Sequence, residues 1–585
     1  MRRSPVPTTV CVRLLSVLNL AFAWFVMTLR LSIRSCARAL LLAVPSMLFS
    51  APLTASVTAS VTASVTASVS PSDGVAAFAS ASSALIVQTR ARQAKRPTKK
   101  PTTRKSTARP VRATRAPIVP VLRFTEPRGA DALRSDLATL LASRTTRGTW
   151  GAMVVSMSRG DTLFSHGPDV RLVPASTMKL FTSAIAFERL GPEHTFNTDV
   201  LRDGPLDFTG TLRGNLVLRG DGDPSLSPRF VRGGPEASMT MLARFTAGAG
   251  VKRVTGDLIA DASAFESRRI PEGWLNRYAG AGYAAPFSAL SLNENIVIVG
   301  VMPDKAGGAN VYLEPATRGM TITSTVRVAA GSGARITARR VGDDRVLVSG
   351  TIGARSSGVR YQLVVGDPPS FMAGAFRAAL EAQGIVIEGQ IRAGSTPVTA
   401  TLLSSMPSPP LARLVSVMNR ESINLYAELL WRDAARGADR SSIGSAENAA
   451  RTLQDFLVAQ VGASPSAVTA TDGSGLSVLD RVTPRALVQL LDHAHKAPWG
   501  SSFHASLPVA GESELLRNRM RATPAQGNLH AKTGTTNDVI GLSGYVTAEN
   551  GEILAFAFLY NGSDRWRARE TIDAMGPTMA AFSRE

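Results

Sequence analysis

From about Phe196 to Ser404 the chain is cut into short Val, Ile and Leu runs bounded by Gly, Asp-Gly and Pro, among them Asn215 to Leu218, Asn295 to Val301 and Arg345 to Ser349. Such runs between turn signals read as strands. The flanking segments keep a helical rhythm: Ala130 to Ser143 before the tract, and Glu421 to Ala435, Ser445 to Val461 and Pro484 to Ala494 after it. Three strand-like pieces close the chain, Asn528 to Thr533, Ile540 to Thr547 and Ile553 to Tyr560, with Asn550-Gly551 as a hairpin signal between the last two and a final helix from about Trp566. An antiparallel sheet flanked by helices follows for the closing part, and Trp150 to Met157 alternates like a strand. The central tract is then a mostly β insertion into another domain. A length of 585 residues, too long for one core, agrees with two to four structural units.

The formal charge of +21 is a property of the N-terminal tail. The first 116 residues hold seventeen Lys and Arg against one acid, Asp73, which leaves 48 basic and 43 acidic residues for the rest. Nucleic-acid binding is therefore not implied for the globular part. Two apolar runs, Leu14 to Val26 and Ala39 to Leu53, follow arginines; the second has the n-region, apolar core and small residues of a signal peptide and predicts export to the periplasm or another extracytoplasmic compartment. A retained membrane anchor is the alternative. A VTAS repeat follows from Val57 to Ser68, then a Pro/Lys/Arg/Thr segment from Arg90 to Arg115 with eleven basic residues and no acid. That segment reads as a disordered linker, with anionic envelope polymers or a membrane surface as candidate partners. Both cysteines, Cys11 and Cys36, lie in the tail, so thiolate chemistry and zinc-thiolate sites are excluded from the globular part.

Three short segments carry candidate chemistry. In VPASTMKLFTSAIAFERLG, Ser176 stands at a first-turn or N-cap position, apolar residues recur at helical spacing and Gly191 is a stop signal. Ser176 and Lys179 share a helical face, so a lysine base could activate the serine if its pKa falls; a helix N-terminus and a second cation would both depress it. Lys532, Thr533, Gly534 and Thr535 supply an ammonium, two hydroxyls and a close-approach position on one strand, a combination suited to an extended substrate with a carboxylate. Ser422 and Asn424 precede a helical run, where they read as caps or as a proton relay and a substrate-fixing amide. Each segment also has a bland reading, as cap, surface charge or solvated edge strand. No His-Glu-x-x-His pair and no Gly-x-Ser-x-Gly elbow is present, and the pair Asp221/Asp223 reads as a turn, not a calcium loop. No metal or cofactor is expected.

In order, Ser176/Lys179, Ser422/Asn424 and Lys532/Thr533/Gly534 resemble the SxxK, SxN and KTG motifs of penicillin-recognising serine enzymes. The gap of more than two hundred residues between the first two, with GDGDPSL at 220–226, YAAPFSALSLNEN at 283–295, DGSGLS at 472–477 and LPVAG at 507–511, is similar to class C low-molecular-mass penicillin-binding proteins, the D-alanyl-D-alanine carboxypeptidase/endopeptidase type. That resemblance implies an α+β transpeptidase-like domain at 123–198 and 405–585, two mainly β inserted domains (199–219 with 312–404, and 220–311), a signal region at 1–58 and a linker at 59–122. It implies Ser176 as nucleophile, Lys179 as base, Ser422 and Lys532 as proton relay, Asn424, Thr533, Gly534 and Thr535 as substrate contacts, and peptidoglycan stem peptides and β-lactams as partners. Family members often have an acid shortly after a Gly-Trp pair that reads the free amino end of the stem peptide; here Gly273-Trp274 is followed by Leu275-Asn276-Arg277. A serine β-lactamase or esterase on the same scaffold, and a non-catalytic envelope-binding protein, are the alternatives.

Overall fold

A computed structural model describes residues 123–143, 145, 147–437, 440 and 442–585; the expected signal region, repeat and basic linker lie outside the described residues. Helix α1 (Ala130–Ala142) buries Leu133, Leu137, Leu140 and Leu141, the stripe its spacing predicts. Strands β1 (Thr149–Ser156) and β2 (Thr162–His166) follow, then a tight 3₁₀ turn at Ala175–Met178 leading into α2 (Lys179–Leu190), which Gly191 ends at φ 81°. After the insertion come α3 (Leu411–Glu421), α4 (Asn424–Arg436), α5 (Ala446–Phe456) and α6 (Pro484–Lys496). The chain closes with β3 (His530–Thr535), β4 (Val539–Thr547), β5 (Ile553–Asn561) and α7 (Arg565–Ala580).

The five strands form one antiparallel sheet in the order β3-β4-β5-β1-β2. Trp150 of β1 opposes Tyr560 of β5, so the two ends of the domain meet in the sheet and the middle of the chain is free to loop out. Strand β5 explains its own composition. Leu554, Phe556, Phe558 and Tyr560 enter a core shared with α1 and α7, while Ala555, Ala557 and Leu559 enter a second core shared with α2, α4 and α6. Period-two alternation between two buried faces demands apolar residues at both phases, hence the unbroken run ILAFAFLY. Inside the second core, α2 is buried from Lys179 to Phe187 and α4 from Asn424 to Ala434, which gives the sheet two central helices with polar N-terminal residues.

Within the insertion, a mixed five-stranded sheet runs in the order 391–393, 258–261, 215–220, 197–203, 401–407. Two helices, Ala237–Gly248 and Pro368–Ala382, pack in the same core, adding α-structure to the mainly β expectation. Two three-stranded sheets occupy 296–364, one of them nested between the strands of the other. Sheet pairing divides the insertion differently from the expected boundaries: Asn215–Gly220 spans 219/220 and Ala309–Glu314 spans 311/312. Strand partners come from distant segments, so local composition does not mark where a sheet ends.

Two helices also depart from expectation. The run expected from Glu421 is interrupted at Ser422, which takes a left-handed conformation (φ 60°, ψ 42°) between α3 and α4. The helix expected through Val461 widens into a π turn at Leu457–Val461.

Candidate active site

Of the two positions expected for Ser176, the structure has the first turn: it sits in the 3₁₀ turn at Ala175–Met178 that leads into α2, and Ala175 before it holds a positive φ of 47°. Two glycines press on that turn from either side. A Cβ at Gly475 (φ +80°) would lie 1.9 Å from the Ala175 carbonyl oxygen, and one at Gly534 would lie 2.6 Å from the Pro174 oxygen and 3.1 Å from Thr177 Cγ2. The space at Gly534, expected to admit a substrate, is therefore taken by the protein's own serine turn. Gly475 belongs to the loop 472–477, so loop, turn and strand β3 are stacked at backbone contact.

Lys179 is fully buried, and its Nζ donates to Ser176 Oγ at 3.0 Å, Asn424 Oδ1 at 2.6 Å and the Ser474 carbonyl at 2.8 Å. Three donors and three acceptors saturate the ammonium. Asn424 Nδ2 donates in turn to the Tyr283 carbonyl at 2.9 Å, a residue of the insertion. Lys532, also fully buried, donates to Ser422 Oγ at 2.9 Å and to the Thr533 carbonyl at 3.0 Å. The left-handed turn at Ser422 starts α4 two residues later, so one backbone break aims Ser422 at Lys532 and Asn424 at Lys179. Thr533 is largely buried and Thr535 is exposed at the strand end.

Burial is the largest cause that pulls Lys179 down to about 7; the carboxylates of Asp472, Glu428 and Asp480 oppose it. The expected causes, a helix dipole and the second lysine, are not the leading ones. Lys532 is lowered well below its ordinary value by burial and then by the charge of Lys179. Glu428 rises to about 7 through burial and the charge of Asp472, against the pull of Arg432. Asp480 is pushed up by burial and by Asp472.

Sequence reasoning missed this acidic shell. Asp472 was visible only within the DGSGLS resemblance, yet its carboxylate accepts from the backbone N–H groups of Ser474, Gly475 and Ser477 at 3.0, 2.6 and 2.8 Å. It also accepts from Trp274 Nε1 at 2.7 Å. Glu428 Oε1 accepts from Ser474 N at 3.0 Å and Oε2 from Arg432 Nη1 at 2.9 Å. The i, i+4 spacing of Glu428 and Arg432 signals a helix pair; only burial makes it part of the site. Of the pair Asp221/Asp223, Asp223 makes the local contact expected of a turn, accepting from the backbone of Ser225, whereas Asp221 forms a long-range ion pair with Arg436 and Arg440.

A cavity of about 170 Å³ adjoins this region, lined among others by Val173, Arg277, Ser477, Thr536, Asp538 and Asn561. Arg277 and Asp538 place both signs of charge on its walls, and the Arg277 guanidinium lies 5.3 Å from the Tyr278 ring centroid.

A serine hydroxyl held on a buried lysine, at the start of a helix packed on an antiparallel sheet, defines the penicillin-recognising class of serine enzymes. The model of the D-Ala-D-Ala carboxypeptidase 3 (S13) family matches residues 133–582, and the chain belongs to that family. It is a serine-type carboxypeptidase of the class C low-molecular-mass penicillin-binding protein type. The D-alanyl-D-alanine carboxypeptidase of Actinomadura sp. (strain R39) is 32% identical over 474 residues, 77% of this chain and 85% of the relative. D-alanyl-D-alanine carboxypeptidase DacB of Haemophilus influenzae is 26% identical over 418 residues, 70% of this chain and 85% of that one. The crystal structure of penicillin-binding protein 4 from the same organism shares the fold, with a TM-score of 0.63 at 23% identity over 75% of this chain and 97% of that chain.

Two outcomes follow from the geometry. Gly475→Ala cannot keep the present backbone, so acylation by a fluorescent penicillin slows by at least about 100-fold, with stability lowered by about 1–3 kcal/mol in a urea titration. Because the free amine of Lys179 is the basic form, acylation rises with pH through about 7; removing the charge that favours the ammonium in Asp472→Asn moves this rise to lower pH by up to about one unit, read from the acylation pH profile.

Proposed function

We propose that the chain is a peptidoglycan DD-carboxypeptidase that also cleaves D-Ala-diamino acid cross-links, working through an acyl-enzyme on Ser176. The observation that carries this is the 3.0 Å bond between a buried lysine held near neutrality and the Ser176 hydroxyl. Ser176 Oγ attacks the carbonyl carbon of the penultimate D-alanine while its proton passes to Lys179 Nζ. Backbone N–H groups of Ser176 and Thr535 hold the oxyanion. Collapse breaks the peptide bond, and the departing amine takes its proton through Ser422, which Lys532 orients and backs. Water then attacks the ester, returning the hydroxyl of Ser176. Asn424 holds the peptide, and Thr533 and Thr535 its terminal carboxylate. A β-lactam acylates the same oxygen, but its amine stays tethered and the ester persists.

The acyl side of the substrate ends in the 170 Å³ cavity. With Arg277 and Asp538 on its walls, it suits a terminus bearing both a carboxylate and an ammonium, as a diamino acid does, with Arg277 on the carboxylate. The enzyme acts outside the cytoplasm, exported by the apolar segment Ala39 to Leu53, and the basic stretch Arg90 to Arg115 adheres to anionic envelope polymers or the membrane surface.

Purified cross-linked and uncross-linked muropeptides separate the two activities. D-alanine release from the uncross-linked form and monomer release from the dimer are both expected, and D-alanine release alone removes the endopeptidase half. Ser176→Ala abolishes both and loses fluorescent-penicillin labelling; equal labelling of parent and variant refutes the mechanism. Arg277→Ala raises KM about 10-fold for peptides whose acyl terminus carries a carboxylate, with kcat little changed and neutral acyl peptides unaffected.

A further inference from the structure

The nested sheet of the insertion, formed by Thr321–Ala329, Arg345–Gly353 and Ala334–Val341, has one buried and one bare face. Val346, Val348 and Ile352 fill the core with Val297, Val299 and Val301. Strand alternation puts their neighbours on the other side. There the register aligns Arg327, Thr351 and Arg335 in one row, Thr325, Ser349 and Thr337 in the next. Thr323, Leu347 and Arg339 follow, and Arg345 lies beyond them opposite Thr321. All four arginines are exposed, and among the described residues none makes a side-chain hydrogen bond or ion pair. The face carries no acid. Asp343 and Asp344 lie in the turn at its end, where Asp343 stands 3.6 Å from Arg340, a residue of the opposite face.

Four unpaired guanidiniums interleaved with hydroxyls, on strands about 4.8 Å apart and with about 7 Å between successive same-face residues, spread over about 20 Å of flat surface. A guanidinium fork matches phosphate oxygens, and hydroxyls between forks supply further donors. No large exposed hydrophobic side chain stands on this sheet, so nothing on it would enter a bilayer, and no aromatic ring offers a stacking platform for bases. We propose that this face binds a linear phosphodiester polymer, lying along the strands, and so holds the enzyme against an anionic envelope matrix independently of its N-terminal tail.

The test uses the full chain, so that every sample carries the same basic tail. Binding of poly(glycerol phosphate), polyglutamate and phosphatidylglycerol vesicles is measured against salt for the parent and for Arg327→Ser/Arg335→Ser/Arg339→Ser/Arg345→Ser. A control with the same charge change, Arg128→Ser/Arg134→Ser/Arg451→Ser/Arg485→Ser, removes arginines that are ion-paired elsewhere. The sheet variant is expected to bind poly(glycerol phosphate) at least about 10-fold more weakly, with the slope of log affinity against log salt reduced by about 3, while the control changes by less than about 3-fold. Parent-like penicillin labelling certifies the fold; should the fourfold variant lack it, Arg335→Ser/Arg339→Ser is used and about half the slope change is expected. Equal losses in sheet variant and control overturn the proposal. So does tighter binding of the parent to vesicles or to polyglutamate than to poly(glycerol phosphate), lost in the sheet variant.

Discussion

Two lysines with no solvent exposure, Lys179 and Lys532, set the terms for everything around them. Removing an ammonium from water costs several kcal/mol even after relaxation, so the fold must either neutralise it or surround it with acceptors. Both answers are present. Holding Lys179 near 7 represents about 5 kcal/mol of preference for the neutral amine relative to a lysine in water. Its partners fit either form, because Asn424 Oδ1 and the Ser474 carbonyl accept the two N–H groups of the neutral amine while the Ser176 hydroxyl, which accepts from the ammonium, can donate to the free lone pair. The acidic shell of Asp472, Glu428 and Asp480 keeps that value from falling further. A base that titrates near the working pH is the compromise between being free and being strong.

Support for this arrangement comes from the insertion. Trp274 fixes Asp472, which in turn ties down the backbone of 474–477 against the serine turn. Glu266 accepts from Arg432 at 3.0 Å, and the Arg432 guanidinium lies 3.7 Å from the Phe287 ring centroid, so the partner of Glu428 is itself held from the insertion side. Tyr283 orients the Asn424 amide through its carbonyl. The tract from 262 to 295, which joins no large sheet, thus supplies the outer layer of the site and one wall of the adjoining cavity. A segment that interrupts the catalytic domain in the chain completes it in space.

Much of the site was legible beforehand. Ser176 and Asn424 contact Lys179, and Ser422 contacts Lys532; the motifs single out these residues because a serine and lysine acting together require particular residue types that chance spacing seldom provides. The sheet core was equally readable in ILAFAFLY and in the leucines of α1. Less legible was the role of Gly534, whose neighbour is Pro174 across the fold, and of Asp472, whose partners are mostly backbone N–H groups and an indole from a remote loop. Backbone contacts leave no trace in residue identity.

By itself the sequence determined which residue types could react, that an antiparallel sheet flanked by helices closes the chain, and that the positive charge concentrates in the tail. Those properties depend on local pattern and composition, which one chain records. The tertiary structure decided how deeply the lysines are buried, which carboxylates oppose the effect of burial on Lys179, how the insertion's strands pair and that one of its sheets presents four arginines on a single face with no ion-pair partner among the described residues. Burial and pairing join residues hundreds of positions apart, and the electrostatics of a site follow from what surrounds a charge once the chain has closed around it.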